Sequence, residues 1–241
     1  MRIARLAAAG FALQLLAACA AAPTPMPILA TGPLHGRLEQ GIYHDRSGWF
    51  EVTAPVAPAD PGYSALSVDE ESAPNVSYVG FLLTQTPEYY RVYMEDFFAS
   101  NHPVTSYQQI ADSAMSLFGK ELVQARSEPM EQVAEKPWHT GTTSGLLRLY
   151  TQRTPMAPLL TNLAMAEDYT AYILMYVTSQ KGKVAVLWME WPTGCKLCAA
   201  LPSGPAAASA DAIDRALAAN GRASAFLDSF RYGDQQGDSK R

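Results

Sequence analysis

Positive charge is sparse along this chain and is nowhere concentrated. The 241 residues include 18 lysines and arginines against 23 aspartates and glutamates, and the formal net charge is −5. Proteins that bind nucleic acids carry a basic patch or stripe to meet the phosphates, so we expect no nucleic-acid partner. After residue 18 the sequence also lacks an apolar run of the roughly 20 residues that a membrane-spanning helix needs.

Catalytic and metal-binding motifs are missing as well. Ser144 lacks the two flanking glycines that the G-x-S-x-G spacing of a nucleophile elbow requires. The four histidines stand alone, without the paired spacing of a metalloprotease site: His35, His44, His102 and His139. We therefore predict no metal site, no cofactor and no catalytic residues. The sequence leaves enzymatic activity undecided but favours a non-enzymatic function.

The N-terminus carries the most informative motif. Residues 1–16 combine two arginines, an apolar stretch and small residues, which are the parts of a secretory signal peptide. The following motif, Leu16-Ala17-Ala18-Cys19, resembles the lipobox of bacterial lipoproteins. An ordinary cleaved signal and an uncleaved anchor are the alternatives, although the apolar run is short for a membrane span.

This resemblance implies where the protein works. The signal would be cut before Cys19, and lipid on the new N-terminal cysteine would attach the chain to a membrane of the bacterial cell envelope. An aspartate directly after the lipidated cysteine would suggest retention at the inner membrane, but position 20 holds alanine. The resemblance therefore implies the outer membrane, with the protein facing the periplasm and the membrane as its first partner.

Cysteine is also scarce, with three in the chain. Once Cys19 is assigned to lipid, Cys195 and Cys198 remain as an even pair, which in an oxidising compartment predicts a disulfide. The alternatives are a redox dithiol, in which one thiolate attacks a partner disulfide, and a metal site. The metal site lacks a second ligand pair.

The composition is that of a globular protein, because 48% of the residues are hydrophobic and 17% are charged, and the length allows one large domain or two small ones. We divide the chain into a signal peptide (1–18), a tether rich in proline and alanine (19–37), a single α+β domain (38–232) and a disordered tail (233–241). The prolines of the tether resist packing and space the domain from the membrane.

The periodicity of apolar residues predicts the elements of the domain. Strands are expected at 42–44, 49–52, 76–84, 90–94, 146–150, 169–178 and 184–191, and a loop at 54–74. Three- and four-residue spacing predicts helices at 104–124, 206–219 and 223–232, the first capped by Thr105 or Ser106 and the second stopped by Asn220-Gly221. This order predicts an antiparallel sheet with helices packed on it.

Both ends of the domain resemble PsbP-like domains. The opening hairpin has the form Tyr43-x-Asp45-x-x-Gly48-Trp49-Phe50-x-Val52-x-x-Pro55, and Phe226-Leu227-Asp228-Ser229-Phe230 closes the chain on a helix. The resemblance implies an α/β/α sandwich used as a binding or assembly module, without a shared catalytic set.

Tyrosines supply the candidate binding surface, Tyr90, Tyr93, Tyr172 and Tyr176, because tyrosine offers apolar area with a polar tip. Tyr172 and Tyr176 are expected on one face of their strand. A sheet face covered by helices would explain the same pattern. We interpret the protein as a lipid-anchored module that binds or assembles other envelope proteins. A periplasmic redox protein using Cys195 and Cys198 and a carrier of a small apolar ligand are the alternatives.

Overall fold

The computed structural model describes residues 28–30, 34–55, 66–83, 88–96, 106–125, 130–154, 169–193 and 211–233. The strands are β1 (Ile28–Ala30), β2 (Arg37–Glu39), β3 (Ile42–His44), β4 (Phe50–Thr53), β5 (Leu66–Ala73), β6 (Val76–Leu83), β7 (Glu88–Asp96), β8 (Glu131–His139), β9 (Ser144–Thr154), β10 (Tyr169–Gln180), β11 (Lys183–Thr193) and β12 (Arg231–Tyr232). The helices are α1 (Tyr107–Ala125), α2 (Asp211–Ala219) and α3 (Gly221–Ser229).

Eight strands form one sheet in the order β1-β5-β6-β7-β11-β10-β9-β8. Its pairs are antiparallel except β1 with β5, which is parallel. β10 and β11 are joined by a tight turn at Lys181 and Gly182, where φ is 50° and 79°. Positive φ at both turn residues matches the twist of a hairpin, so the hairpin predicted here is confirmed.

A smaller sheet has the order β12-β4-β3-β2 and contains the predicted opening hairpin. The turn of that hairpin depends on Asp45, whose Oδ2 accepts hydrogen bonds from the backbone nitrogens of Ser47 and Trp49 at 3.0 and 3.1 Å. Asp45 also accepts a hydrogen bond from the Ser77 hydroxyl on β6. One buried carboxylate therefore forms the turn and joins the two sheets.

Alternating side chains divide the interior into two cores on opposite faces of the large sheet. Along β10, Tyr172 and Leu174 pack in the core beneath the small sheet, α2 and α3. Ile173 and Met175 pack in the other core, which α1 covers. The protein thus has the α+β fold that the sequence predicts, an antiparallel sheet with helices packed on it.

Polar side chains cap the N-terminal ends of α1 and α3. Ser106 caps α1, because its hydroxyl accepts a hydrogen bond from Gln109 N at 3.2 Å. Asn220 separates α2 from α3 and caps the latter by accepting from the backbone nitrogens of Arg222 and Ala223. Among the described residues, the helices fall short of the length and apolarity needed to cross a membrane.

Five strands lie where the sequence predicts none: β1, β2, β5, β8 and β12. β12 occupies the end of the predicted helix 223–232, so the helix prediction is wrong for residues 231–232. β5 falls in the segment expected as a loop, and the loop prediction is wrong for residues 66–73. Its Glu70 accepts hydrogen bonds from the backbone of His35 and Gly36 and from the hydroxyl of Tyr43. β8 lies at one edge of the sheet and includes Pro137, which an edge strand tolerates.

The N-terminal end of the domain also differs from the expectation. β1 lies within the segment predicted as a tether and pairs with the start of β5. Leu34, in the same segment, packs partly buried against the core beneath the small sheet. The predicted tether, 19–37, therefore overlaps the folded domain at its C-terminal end.

Candidate functional site

One part of the large sheet carries a half-exposed set of aromatic and charged side chains. It lies on the α1 side of the sheet, on β6 and β7, where the register places Tyr78, Gly80 and Leu82 opposite Tyr93, Arg91 and Tyr89. The described side chains of α1 that are buried pack instead with β9, β10 and β11. We call Tyr78, Gly80, Leu82, Tyr89 and Arg91 the tyrosine–arginine platform.

The centre of the platform is built over Gly80. Tyr78 and Tyr89 occupy diagonal positions on the two strands, and their hydroxyls are hydrogen-bonded to each other. A Cβ atom at residue 80 would lie 2.4 Å from the Tyr78 hydroxyl and 2.8 Å from that of Tyr89. The absence of a side chain at Gly80 therefore lets the two rings converge.

Arg91 extends this platform along β7. Its guanidinium carbon lies 3.8 Å from the centroid of the Tyr89 ring, a cation–π contact. Burial is the largest cause raising the pKa of Tyr78 above its ordinary value; the hydroxyl of Tyr89 raises it further, whereas Arg91 lowers it. The phenol of Tyr78 is therefore a neutral hydrogen-bonding group across the physiological pH range.

Leu82 makes the platform partly apolar. Its side chain is 41% exposed, which makes it one of the large apolar residues on the described surface. Two carboxylates share the same face of the sheet: Asp69, exposed on β5 opposite Gly80, and Glu190, buried on β11 opposite Tyr89. The surface therefore combines phenols, one guanidinium, an aliphatic side chain and a carboxylate at its rim.

The tyrosines predicted as a binding surface do not form one. Tyr90 and Tyr176 have no solvent exposure and Tyr172 is 6% exposed, all in the core beneath α2, α3 and the small sheet. Tyr93 lies on the opposite face, partly buried against the core that α1 covers. Tyr172 and Tyr176 do share a face, as predicted, but helices cover that face.

Tyr90 belongs to a buried polar cluster that is structural. Its hydroxyl donates to Glu88, which has no solvent exposure and is also paired with Arg222. Asn220 Nδ2 donates to Glu88 and to the Tyr90 hydroxyl at 3.3 and 3.2 Å. Because these buried groups satisfy one another, the cluster holds the junction of α2 and α3 on β7.

His139 and Ser144 form a short cross-strand contact at the β8–β9 turn. Nδ1 of His139 lies 2.9 Å from the Ser144 hydroxyl, and both residues are exposed. The turn between them is closed by hydrogen bonds between Thr140 and Thr143. The contact joins the last residue of β8 to the first residue of β9 across the hairpin.

Cys19, Cys195 and Cys198 lie outside the described residues, so the predicted lipidation and the predicted disulfide stay predictions. The pattern of the sequence did not single out Tyr78, Leu82 and Arg91 as surface residues. A signal was present, because residues 78, 80 and 82 and residues 89, 91 and 93 alternate with apolar neighbours. Only the β6–β7 register brings the two sets together.

Comparison with known proteins places the chain near two solved structures. It is similar to the cyanobacterial PsbP of Synechocystis sp. PCC 6803, at 14% identity and a TM-score of 0.44, covering 84% of this chain and 98% of that one. It is also similar to a mutant of protein Mog1, at 12% identity and a TM-score of 0.40, covering 78% of this chain and 93% of that one.

No protein-family model matches the sequence. No curated protein matches it either. At these identities and TM-scores the two structural neighbours assign neither a family nor a function to the chain.

Proposed function

We propose that this protein is a lipid-anchored binding or assembly module of the bacterial envelope, without catalytic activity. Lipid on Cys19 holds it at the outer membrane facing the periplasm, and the tyrosine–arginine platform binds another envelope protein. The observation that carries the binding role is the platform itself, because tyrosine and arginine dominate the residues that contribute most to protein–protein affinity.

The composition of the platform supports a protein partner. Interface centres combine apolar area with a few directed polar groups, as Leu82 does with Tyr89 and Arg91 here. Tyrosine supplies a large contact area at a small cost in side-chain entropy. The hydrogen bond between Tyr78 and Tyr89 already orders part of the surface before a partner arrives.

Site-specific photocrosslinking in the native cell tests the binding role. A photoreactive amino acid replaces Leu82 in the full-length protein, and the matched control replaces Ala225, which is exposed on α3 at the other side of the sheet. We expect one discrete protein adduct from position 82 and none from position 225. The adduct should fall at least tenfold in a Tyr89→Ala background.

The partner identified from that adduct is then purified, and its binding to the full-length protein is measured. The proposal is supported if Tyr89→Ala raises the Kd about tenfold. Equal adducts at positions 82 and 225, or a Kd that Tyr89→Ala leaves unchanged, overturn the platform as the binding site.

Intact mass of the protein extracted from its native envelope tests the anchor. We expect the native protein to lack residues 1–18 and to carry acyl groups, whereas a Cys19→Ala variant should retain residues 1–18.

The same sample tests the disulfide. Alkylation before reduction should leave Cys195 and Cys198 unmodified if they form a disulfide. A substantial alkylated fraction would instead favour the redox protein, and an unacylated chain would overturn the lipid anchor.

A further inference from the structure

The guanidinium of Arg91 has a hydrogen-bond donor without a partner among the described residues. Its Nε is buried and has no hydrogen-bond partner in the part of the chain that the structure describes. Three other arginines of the described residues pair with carboxylates: Arg37 with Glu39, Arg148 with Glu135 and Asp112, and Arg222 with Glu88. The ion pairs of the described residues do not include Arg91, whose guanidinium is held instead by stacking on Tyr89.

The described carboxylates on this face of the sheet form no ion pair with Arg91. Arg91 lies between Gly80 on β6 and Trp188 on β11, and the buried Glu190 is its diagonal neighbour on β11. Asp69 is in the same row but two strands away, at a backbone separation of about 10 Å. Stacking on Tyr89 therefore orients the half-buried guanidinium, which is not committed to an ion pair among the described residues.

A carboxylate is the group that these donors fit. The guanidinium presents five N–H donors in a planar fork that matches the two oxygens of a carboxylate, and such charge-assisted bonds are stronger than neutral ones. Stacking on Tyr89 fixes the plane of the fork, so less side-chain entropy is lost when a ligand binds. The neighbouring Tyr78 hydroxyl, whose pKa burial raises, is neutral and does not repel an anion.

We infer that Arg91 is the specificity residue of the platform and binds a glutamate or aspartate side chain of the partner protein. This inference rests on the proposed function, because it names the chemistry of the partner at the same surface. Leu82 contacts the apolar part of the same partner segment. Asp69, at the rim, and the buried Glu190 oppose the approach of an acidic segment and so weaken the binding without preventing it.

Nuclear magnetic resonance of the full-length protein in detergent tests the inference with a defined probe, glutamate blocked as its N-acetyl and N-methylamide derivative. We expect a saturable shift of the Arg91 Nε–H resonance with a Kd on the order of 1 mM, as befits so small a ligand. The same derivative of glutamine is the matched neutral control and should give no saturable shift.

Two variants act in opposite directions. Arg91→Gln should weaken binding of the blocked glutamate at least tenfold. Asp69→Asn removes one negative charge and keeps the Oδ1 acceptor of the Glu70 backbone nitrogen, so it should tighten binding about twofold. Arg91→Lys keeps the positive charge but loses the planar fork of N–H donors. Its affinity for blocked glutamate should therefore fall between those of Arg91→Gln and the unchanged protein.

Several outcomes overturn the inference. It fails if blocked glutamate and blocked glutamine bind equally, if Asp69→Asn weakens binding, or if inorganic phosphate shifts the Arg91 resonance and blocked glutamate does not. Should Leu82 crosslink to a partner while the glutamate probe fails, the binding module stands and only the acidic partner is rejected. Absence of both signals rejects the proposed function as well.

Discussion

Single glycines decide how closely two parts of this structure approach each other. At Gly80 an added methyl group would meet the far ends of two tyrosines, which can move. At Gly145 it would lie 2.0 Å from the carbonyl oxygen of Val177 on the neighbouring strand, which is backbone and cannot move without disturbing the β9–β10 pairing. The two glycines therefore have different consequences when replaced.

Replacing Gly145 tests this reasoning at the scale of one residue. We expect Gly145→Ala to lower the free energy of unfolding by about 3 kcal/mol, because the clash falls inside a buried strand pair. Gly141→Ala is the matched control: a Cβ there meets nothing within 4 Å, and the change should stay within about 0.5 kcal/mol. Urea unfolding measures both. Equal midpoints for the two variants would contradict the clash.

The strands that the sequence predicts well are those that are apolar along most of their length. β10 and β11 carry long apolar runs and a turn with glycine, so their existence and their pairing follow from local patterning. The sequence does not predict β5 and β8, because both carry charged residues whose partners lie on other segments of the chain. Glu70 binds backbone nitrogens of residues 35 and 36, and Glu135 pairs with Arg148.

The junction of α2 and α3 shows how one residue can serve two elements. Asn220 caps α3 through its oxygen and binds Glu88 and Tyr90 of β7 through its nitrogen. We expect Asn220→Ala to cost about 2 kcal/mol, because it removes a cap and also leaves buried acceptors with one donor fewer.

Ser106→Ala is the comparison for this prediction. Ser106 caps α1 at an exposed hydrogen bond, so its removal should cost about 1 kcal/mol. Thermal or urea unfolding of the two variants measures the difference. A cost for Asn220→Ala no larger than that for Ser106→Ala would show that the contacts with β7 contribute nothing measurable.

At the scale of the whole molecule, buried tyrosines couple stability to alkaline pH. Burial is the largest cause raising the pKa of Tyr43, Tyr90 and Tyr232 above the ordinary value. Glu70 raises the pKa of Tyr43 further, and Glu88 does the same for Tyr90. In the unfolded chain these phenols ionise near pH 10, as free tyrosine does.

The sign follows from linkage. A group with a raised pKa in the folded state contributes its stability fully below the unfolded pKa, and this contribution is lost as the pH rises above it. We therefore expect the free energy of unfolding to decline above about pH 10. Tyrosinate absorbance of the buried phenols should appear together with the loss of near-ultraviolet circular dichroism. Ionisation of all tyrosines before any structural change would contradict their burial.

Local patterning determined which residues face the same side of a strand, because side chains alternate with a period of two. It therefore placed Tyr172 and Tyr176 together and predicted the α+β class. Tertiary structure decided which of these faces is covered. The helices at the C-terminal end cover Tyr90 and Tyr176, whereas the β6–β7 register leaves Tyr78, Tyr89 and Arg91 partly exposed. The covering depends on residues far apart in the chain, and the register is fixed only when the two strands pair.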